Sequence, residues 1–172
     1  KSRATNLIGS LRSKELIIQT IIIMDVASLQ SLISSLLLNI SALSGYPIPA
    51  ELPKVSLIPA SEIQQRVCNK PCRARAFYLQ GEGIFVDSSL DFKASMYDQS
   101  ILVHELVHAM QHTNGRFDHE GTGCARYEAE EVEAYDIQNK FLSQTEDPRR
   151  FAFLAPPGVC IDAPPDQQPI VQ

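Results

Sequence analysis

The chain lacks a long apolar run, a cluster of basic residues and an internal repeat. Its longest apolar stretch, LIIQTIIIM at 16–24, is too short and too polar to span a bilayer. Lys and Arg number 15 against 20 Asp and Glu, a net charge of -5. No Lys/Arg run resembles a nucleic-acid footprint, so a mildly acidic soluble protein without a nucleic-acid partner or transmembrane segment is expected. The chain opens on Lys1, and KSRATNLIGSLRSK ahead of an apolar run is faintly similar to a signal peptide. That run passes into Asp25 and an amphipathic pattern, however, not a small-residue cleavage site. Cysteines are few: Cys68, Cys72, Cys124 and Cys160. A four-cysteine structural zinc needs two close pairs, and only CNKPC is close. An even, small number points instead to disulfides in an exported protein, secreted or periplasmic, with Cys68–Cys72 and Cys124–Cys160 as the expected pairs. The first closes a short loop around Pro71, and the second pins a proline-rich tail. Buried thiols in a cytoplasmic protein are the alternative.

With 172 residues the chain is long enough for one domain with a core. Ile22, Val26, Leu29, Ile33, Leu36, Ile40 and Leu43 step by four and three, a core-facing helical stripe. Asp25 is placed to cap its start, and Gly45 with Pro47 to close it. KVSLI (54–58) reads as a short strand, and SEIQ (61–64) as a capping box opening a short helix. RARAFYLQ (73–80) and GIFVD (83–87) flank GEG (81–83), the spelling of a β-hairpin. A loop with SMYD or Asp98 as cap precedes a helix that stops at Asn114–Gly115. RFDHEGTG leads to another helix over about 124–143, and TEDPRR with six prolines from Pro148 to Pro169 reads as an irregular or mobile tail. The expected organisation is an N-terminal segment (1–24), an α+β domain (25–145) and the tail (146–172). The α+β domain is expected to hold a long N-terminal helix, a small mainly antiparallel sheet and two further helices carrying the site.

The chemistry concentrates in HELVH at 104–108. Positions i and i+4 share a helix face, so His104 and His108 can reach one ion. Glu105 stands beside that ion, where it can take a proton from an activated water. The flanks Ile101, Leu102, Val103, Leu106 and Val107 are apolar, so the helix is largely buried. Two histidines and a glutamate there are costly unless paired. The bland alternative is two core histidines satisfied by hydrogen bonds.

Catalytic zinc takes three protein ligands and leaves a fourth position open, so a third ligand is required. The HExxHxxGxxH continuation is excluded, because Gln111 and Asn114 occupy its glycine and histidine positions. The later helix offers Glu128, Glu130, Glu131 and Glu133. At about 100° per residue, Tyr127, Val132, Ala134, Tyr135, Ile137, Phe141 and Leu142 spread over one apolar face. Arg126, Glu133, Asp136 and Lys140 gather opposite. Glu131 falls near the middle of the apolar face, with Glu128 inside one flank and Glu130 near the other edge. A carboxylate in that position needs a cation, and a metal supplies one.

With these residues in place the sequence resembles a gluzincin-type zinc metallopeptidase, which joins an HExxH helix to a glutamate-bearing helix. EVEAY (131–135) is similar to the ExEAD or ExEAN signature of prenyl-protein-processing, HtpX-type and ImmA/IrrE-type peptidases. That resemblance covers 84–142 and implies a zincin-like fold, with Glu131 as third zinc ligand. Tyr135 replaces the family's Asp or Asn, which leaves open what supports a ligating histidine. The chain also looks like a small bacterial domain family of unknown function over about 30–145. That likeness rests on SGYP after the leading helix, HELVH followed by Gln, and EAYxxQ. In zincins an edge strand beside the cleft pairs with extended substrate, a role that GIFVD fits.

The implied reaction is zinc-dependent hydrolysis of peptide bonds in a peptide or protein substrate. Glu105 moves the proton, and an oxyanion donor is sought among Tyr135, Tyr127, His119 and His112. Two alternatives stay open: a zinc-binding regulatory or interaction domain without peptidase activity, and a metal-free interaction domain.

Overall fold

The computed structural model describes residues 26–68, 72–119, 123–145 and 147–152, and the backbone of 170–171. Expectations for the 16–24 stretch, Ile22, Asp25, Pro71, most of the prolines and Cys160 lie outside these residues, as does the Cys124–Cys160 pairing. The chain divides into two units, 1–35 and 36–172, with the boundary inside the first helix.

That helix, α1, runs Val26–Ser44. It is 19 residues long with mean hydropathy 1.6, so by length and composition it could cross a membrane. The expectation of no transmembrane segment rests on the 16–24 stretch, whereas this helix begins beyond Asp25. In the unit 1 portion Ile33 is buried, but Val26 is 56% exposed, so the expected stripe does not begin at Val26. In unit 2 Leu36, Leu37 and Ile40 are buried. Gly45 closes α1 at φ 79°, its N–H bonded to the Ser41 carbonyl at 2.9 Å. That left-handed turn favours glycine.

The rest of unit 2 is β1 (Val55–Ile58), α2 (Ala60–Val67), β2 (Ala76–Leu79), β3 (Gly83–Asp87), α3 (Met96–Thr113), α4 (Cys124–Ser143) and β4 (Ile170–Val171). The four strands form one mixed sheet in the order β1-β3-β2-β4. β1 is parallel to β3, whereas β2 pairs antiparallel with both β3 and β4. GIFVD is therefore not an edge strand: β1 pairs with one of its sides and β2 with the other. Gly83 allows this. A Cβ there would stand 2.5 Å from the Lys54 carbonyl oxygen, the same oxygen that accepts from Ile84 N–H at 2.8 Å.

Strand alternation builds two layers on the sheet. Phe77 and Phe85 stack at 4.8 Å and pack with Ile63 of α2. The Cys68–Cys72 disulfide, Cα–Cα 6.2 Å, lies against the same cluster. Ala76, Tyr78, Ile84 and Val86 alternate with these and are buried. α3 packs on β2 and β3, and α4 packs on α3. α2 starts one residue before the expected capping box. Pro59, at φ -60°, precedes it, and its carbonyl accepts from Glu62 and Ile63 N–H at 2.9 and 3.2 Å. No side chain caps that helix, so the SEIQ spelling does not act as a box.

Ile170–Val171 adds to the edge of β2. Upstream, Asn139 of α4 bonds both Phe151 backbone groups, at 2.7 and 2.8 Å. The Phe151 ring also stacks on Tyr97 and Tyr135, so this segment without helix or strand is held to α3 and α4.

Candidate metal centre

α3 begins where Ser95 accepts a hydrogen bond from Asp98 N–H. Serine is a favoured cap because its hydroxyl satisfies an orphan helix donor. Asp98, the other expected cap, instead accepts from Asp91 N–H at 2.8 Å. Every residue from Ser100 to Gln111 is buried, so the i,i+4 pair of histidines is sealed in the interior with its helix. α4 crosses this face and presents Glu131, itself buried.

His104, His108 and Glu131 converge. The two Nε2 atoms are 3.0 Å apart. Glu131 Oε2 is 3.3 Å from His104 Nε2, and Oε1 is 3.4 Å from His108 Nε2. Ligands bound tetrahedrally at ordinary zinc distances sit about 3.3 Å from one another. Two imidazole nitrogens and one carboxylate thus stand close together, each nitrogen near a different carboxylate oxygen, and one ligand atom from each of the three residues lies within 4.8 Å of the others. Glu131 Oε1 has no hydrogen-bond partner, as expected of an atom reserved for an ion. Burial pushes the Glu131 carboxyl up, and hydrogen bonds from the two imidazoles, made only where Nε2 carries the proton, oppose it. Burial, chiefly, pushes His104 down, which keeps its ring neutral and able to ligate.

Glu105 is buried, and neither carboxylate oxygen has a partner of ordinary hydrogen-bond geometry. Burial first, then the Glu131 charge, raises its pKa well above the usual carboxylate range, and the nearby Tyr78 backbone opposes this weakly. Such a carboxyl holds its proton more tightly than an exposed one.

The donor candidates separate. The Tyr135 ring lies 4.5 Å from that of His104. Burial, and then Glu131, pushes both the Tyr135 and Tyr127 phenols up, with Glu105 adding to each, so both stay protonated donors near the centre. His112 is turned away: its ring lies 5.2 Å from Tyr78, and Nε2 is 3.4 Å from Glu130. His119 is exposed in the turns after α3.

The helical-wheel reading of α4 needs three corrections. Val132 is 53% exposed, because the buried face is narrower than the apolar letters suggest. Glu130 is buried, held by Arg126 at 2.8 Å and by His112. Glu133 is not among solvated charges. It accepts from Tyr46 Oη at 2.5 Å and from Gln111 Nε2 at 3.0 Å, because the segment after α1 covers that flank.

Four residues went unread in the sequence as parts of the site: Tyr46, Ser100, Gln111 and Gln138. Gln111 bonds His108 Nδ1 at 2.9 Å, and Gln138 bonds His104 Nδ1 at 3.2 Å. Spacing carried a signal for the glutamines, since Gln111 is three residues past His108 and Gln138 seven past Glu131, both same-face steps.

Fold and site together define an α+β domain whose helices α3 and α4 bring together two histidines and a glutamate that could hold a metal ion, with Glu105 buried on the same helix as the histidines. The family model described as "Domain of unknown function (DUF6647)" matches residues 25–155, and the chain belongs to that family. No curated protein and no solved structure matches it.

Proposed function

We propose that the domain is a zincin-like, zinc-dependent hydrolase that cleaves peptide bonds. One observation carries this reading: two buried imidazoles and a buried carboxylate that could hold an ion converge beside a further buried carboxyl, Glu105, that is not one of the three. A purely structural site has no use for Glu105. His104, His108 and Glu131 would hold the ion. A bound zinc supplies Lewis acidity, acidifying a water and polarising an amide carbonyl. Glu105 accepts the water's proton and delivers it to the leaving amine. The Tyr135 and Tyr127 phenols are the donors available to the developing oxyanion. Zinc is favoured over harder ions by two imidazoles and a single carboxylate. The Cys68–Cys72 disulfide supports an oxidising, secreted or periplasmic setting.

Metal quantification, followed by hydrolysis of a mixed peptide library read by mass spectrometry, tests this. One zinc per chain is expected, with Glu105→Gln retaining the ion and losing hydrolysis by about 10²- to 10⁴-fold. Zinc loss in Glu105→Gln would overturn the assignment of roles. Zinc binding without cleavage of any peptide would favour a regulatory module.

A further inference from the structure

We infer that Gln111 and Gln138 are positioning residues that lock both ligating imidazoles in the Nδ1–H tautomer, so that both Nε2 lone pairs face the same point. The inference rests on the metal-binding part of the reading above and assigns it a supporting frame.

A glutamine amide has one donating and one accepting end, and its neighbours decide which end goes where. Gln111 Nε2 lies 3.0 Å from the Glu130 carbonyl and 3.0 Å from Glu133 Oε2. Both are acceptors only, so the NH2 end must face them. Oε1 is then fixed 2.9 Å from His108 Nδ1, and only a protonated Nδ1 can bond it.

Gln138 is oriented by a relay. The Ser100 hydroxyl donates to the Tyr97 carbonyl at 2.7 Å, so its oxygen is left to accept. Gln138 Nε2 donates to that oxygen at 3.1 Å. Oε1 then faces His104 Nδ1 at 3.2 Å and requires a proton there.

Both rings therefore turn unprotonated Nε2 atoms inward, 3.0 Å apart, with a carboxylate beside each. Lone pairs and negative charge crowd one point, an arrangement that a cation resolves. The Gln111 branch extends further. Glu133, which orients it, is held by Tyr46 at 2.5 Å and Arg116 at 3.5 Å. Tyr46 of the SGYP segment thus acts on His108 through two intervening side chains. An amide partner fixes the tautomer without adding charge, whereas a carboxylate partner also raises ligand basicity. Tyr135 is not needed as an aspartate substitute, because Gln138, one turn further along α4, supports His104.

Imidazole ¹⁵N spectra of the metal-free protein test the tautomers directly, and competition titration with a zinc chelator tests the affinity. Wild type should show the Nδ1–H form at both histidines. Gln111→Leu should release His108, Gln138→Leu should release His104, and each should weaken zinc binding about 10- to 100-fold. Gln138→Glu keeps an oxygen facing Nδ1 and should retain the tautomer and most of the affinity, even if Gln138→Leu folds poorly. Nε2–H histidines in wild type, or zinc affinity unchanged in both leucine variants, would overturn the inference. Neither readout involves hydrolysis. Correct tautomers and tight zinc without peptide cleavage would count against the hydrolase and support the frame.

Discussion

At residue scale, four glutamates on one helix have four fates, and their surroundings rather than side-chain type separate them. Glu128 is exposed. Glu130 is buried but neutralised by Arg126 and His112, which overcome the burial penalty and hold its carboxyl low. Glu133 anchors Tyr46 and Gln111. Glu131 alone faces the two Nε2 atoms. Glu131→Ala should therefore weaken zinc binding strongly, since two imidazoles would share the ion with water. Glu130→Ala should leave zinc affinity nearly intact and instead destabilise the fold by about 1–3 kcal/mol, the range for stranding a buried partner. Calorimetric zinc titration alongside denaturant melts separates the two. A large affinity loss in Glu130→Ala with Glu131→Ala unaffected would reassign the third ligand.

At element scale, β3 leads directly into the loop that positions α3, and Asp87 is the joint. It is buried and accepts from Arg75 Nε at 2.6 Å and Ser89 N–H at 2.8 Å. Burial raises its pKa, but Ser89 and Arg75 prevail and hold it below the ordinary 3.8. A depressed folded pKa contributes stability that is present above the unfolded value and is lost as pH falls through the folded one. Asp87→Asn should thus cost about 1–3 kcal/mol near neutrality. The gap from wild type should close as pH drops below the ordinary carboxylate value. Urea melts from pH 7 to 3 check this, and a gap that is constant with pH would rule out the charge as its cause.

At the scale of the whole molecule, the interior between α3 and α4 is not apolar. His104, His108, Glu105, Glu131, Gln111 and Gln138 are all buried there. Such a group of polar side chains stabilises the fold only when its members are satisfied, and Glu105 and one Glu131 oxygen are not. An ion bound there should stabilise the native state through mass action. Free zinc at 100 times its dissociation constant adds about 2.7 kcal/mol, a rise in melting temperature of roughly 5–10 °C. Scanning calorimetry with zinc and with chelator should show that difference in wild type and little of it in His104→Ala. Equal melting temperatures in wild type would mean that no ion binds to the native centre.

The sequence by itself determined whatever depends on near neighbours. The i,i+4 histidines, the interposed glutamate, the hairpin around Gly81, the helix ending at Asn114 and the disulfide across four residues are set by spacing. Helical phase put Glu131 on the buried face of α4, but Glu130 is buried as well, so phase did not by itself separate the two. Only the tertiary structure decided which partner each buried polar group meets. That Tyr46 reaches Glu133 across 87 positions, that Gln138 turns to His104 through Ser100, and that β1 encloses β3 are contacts between distant segments. No local period encodes them. They form because buried donors and acceptors must be satisfied wherever packing brings them together.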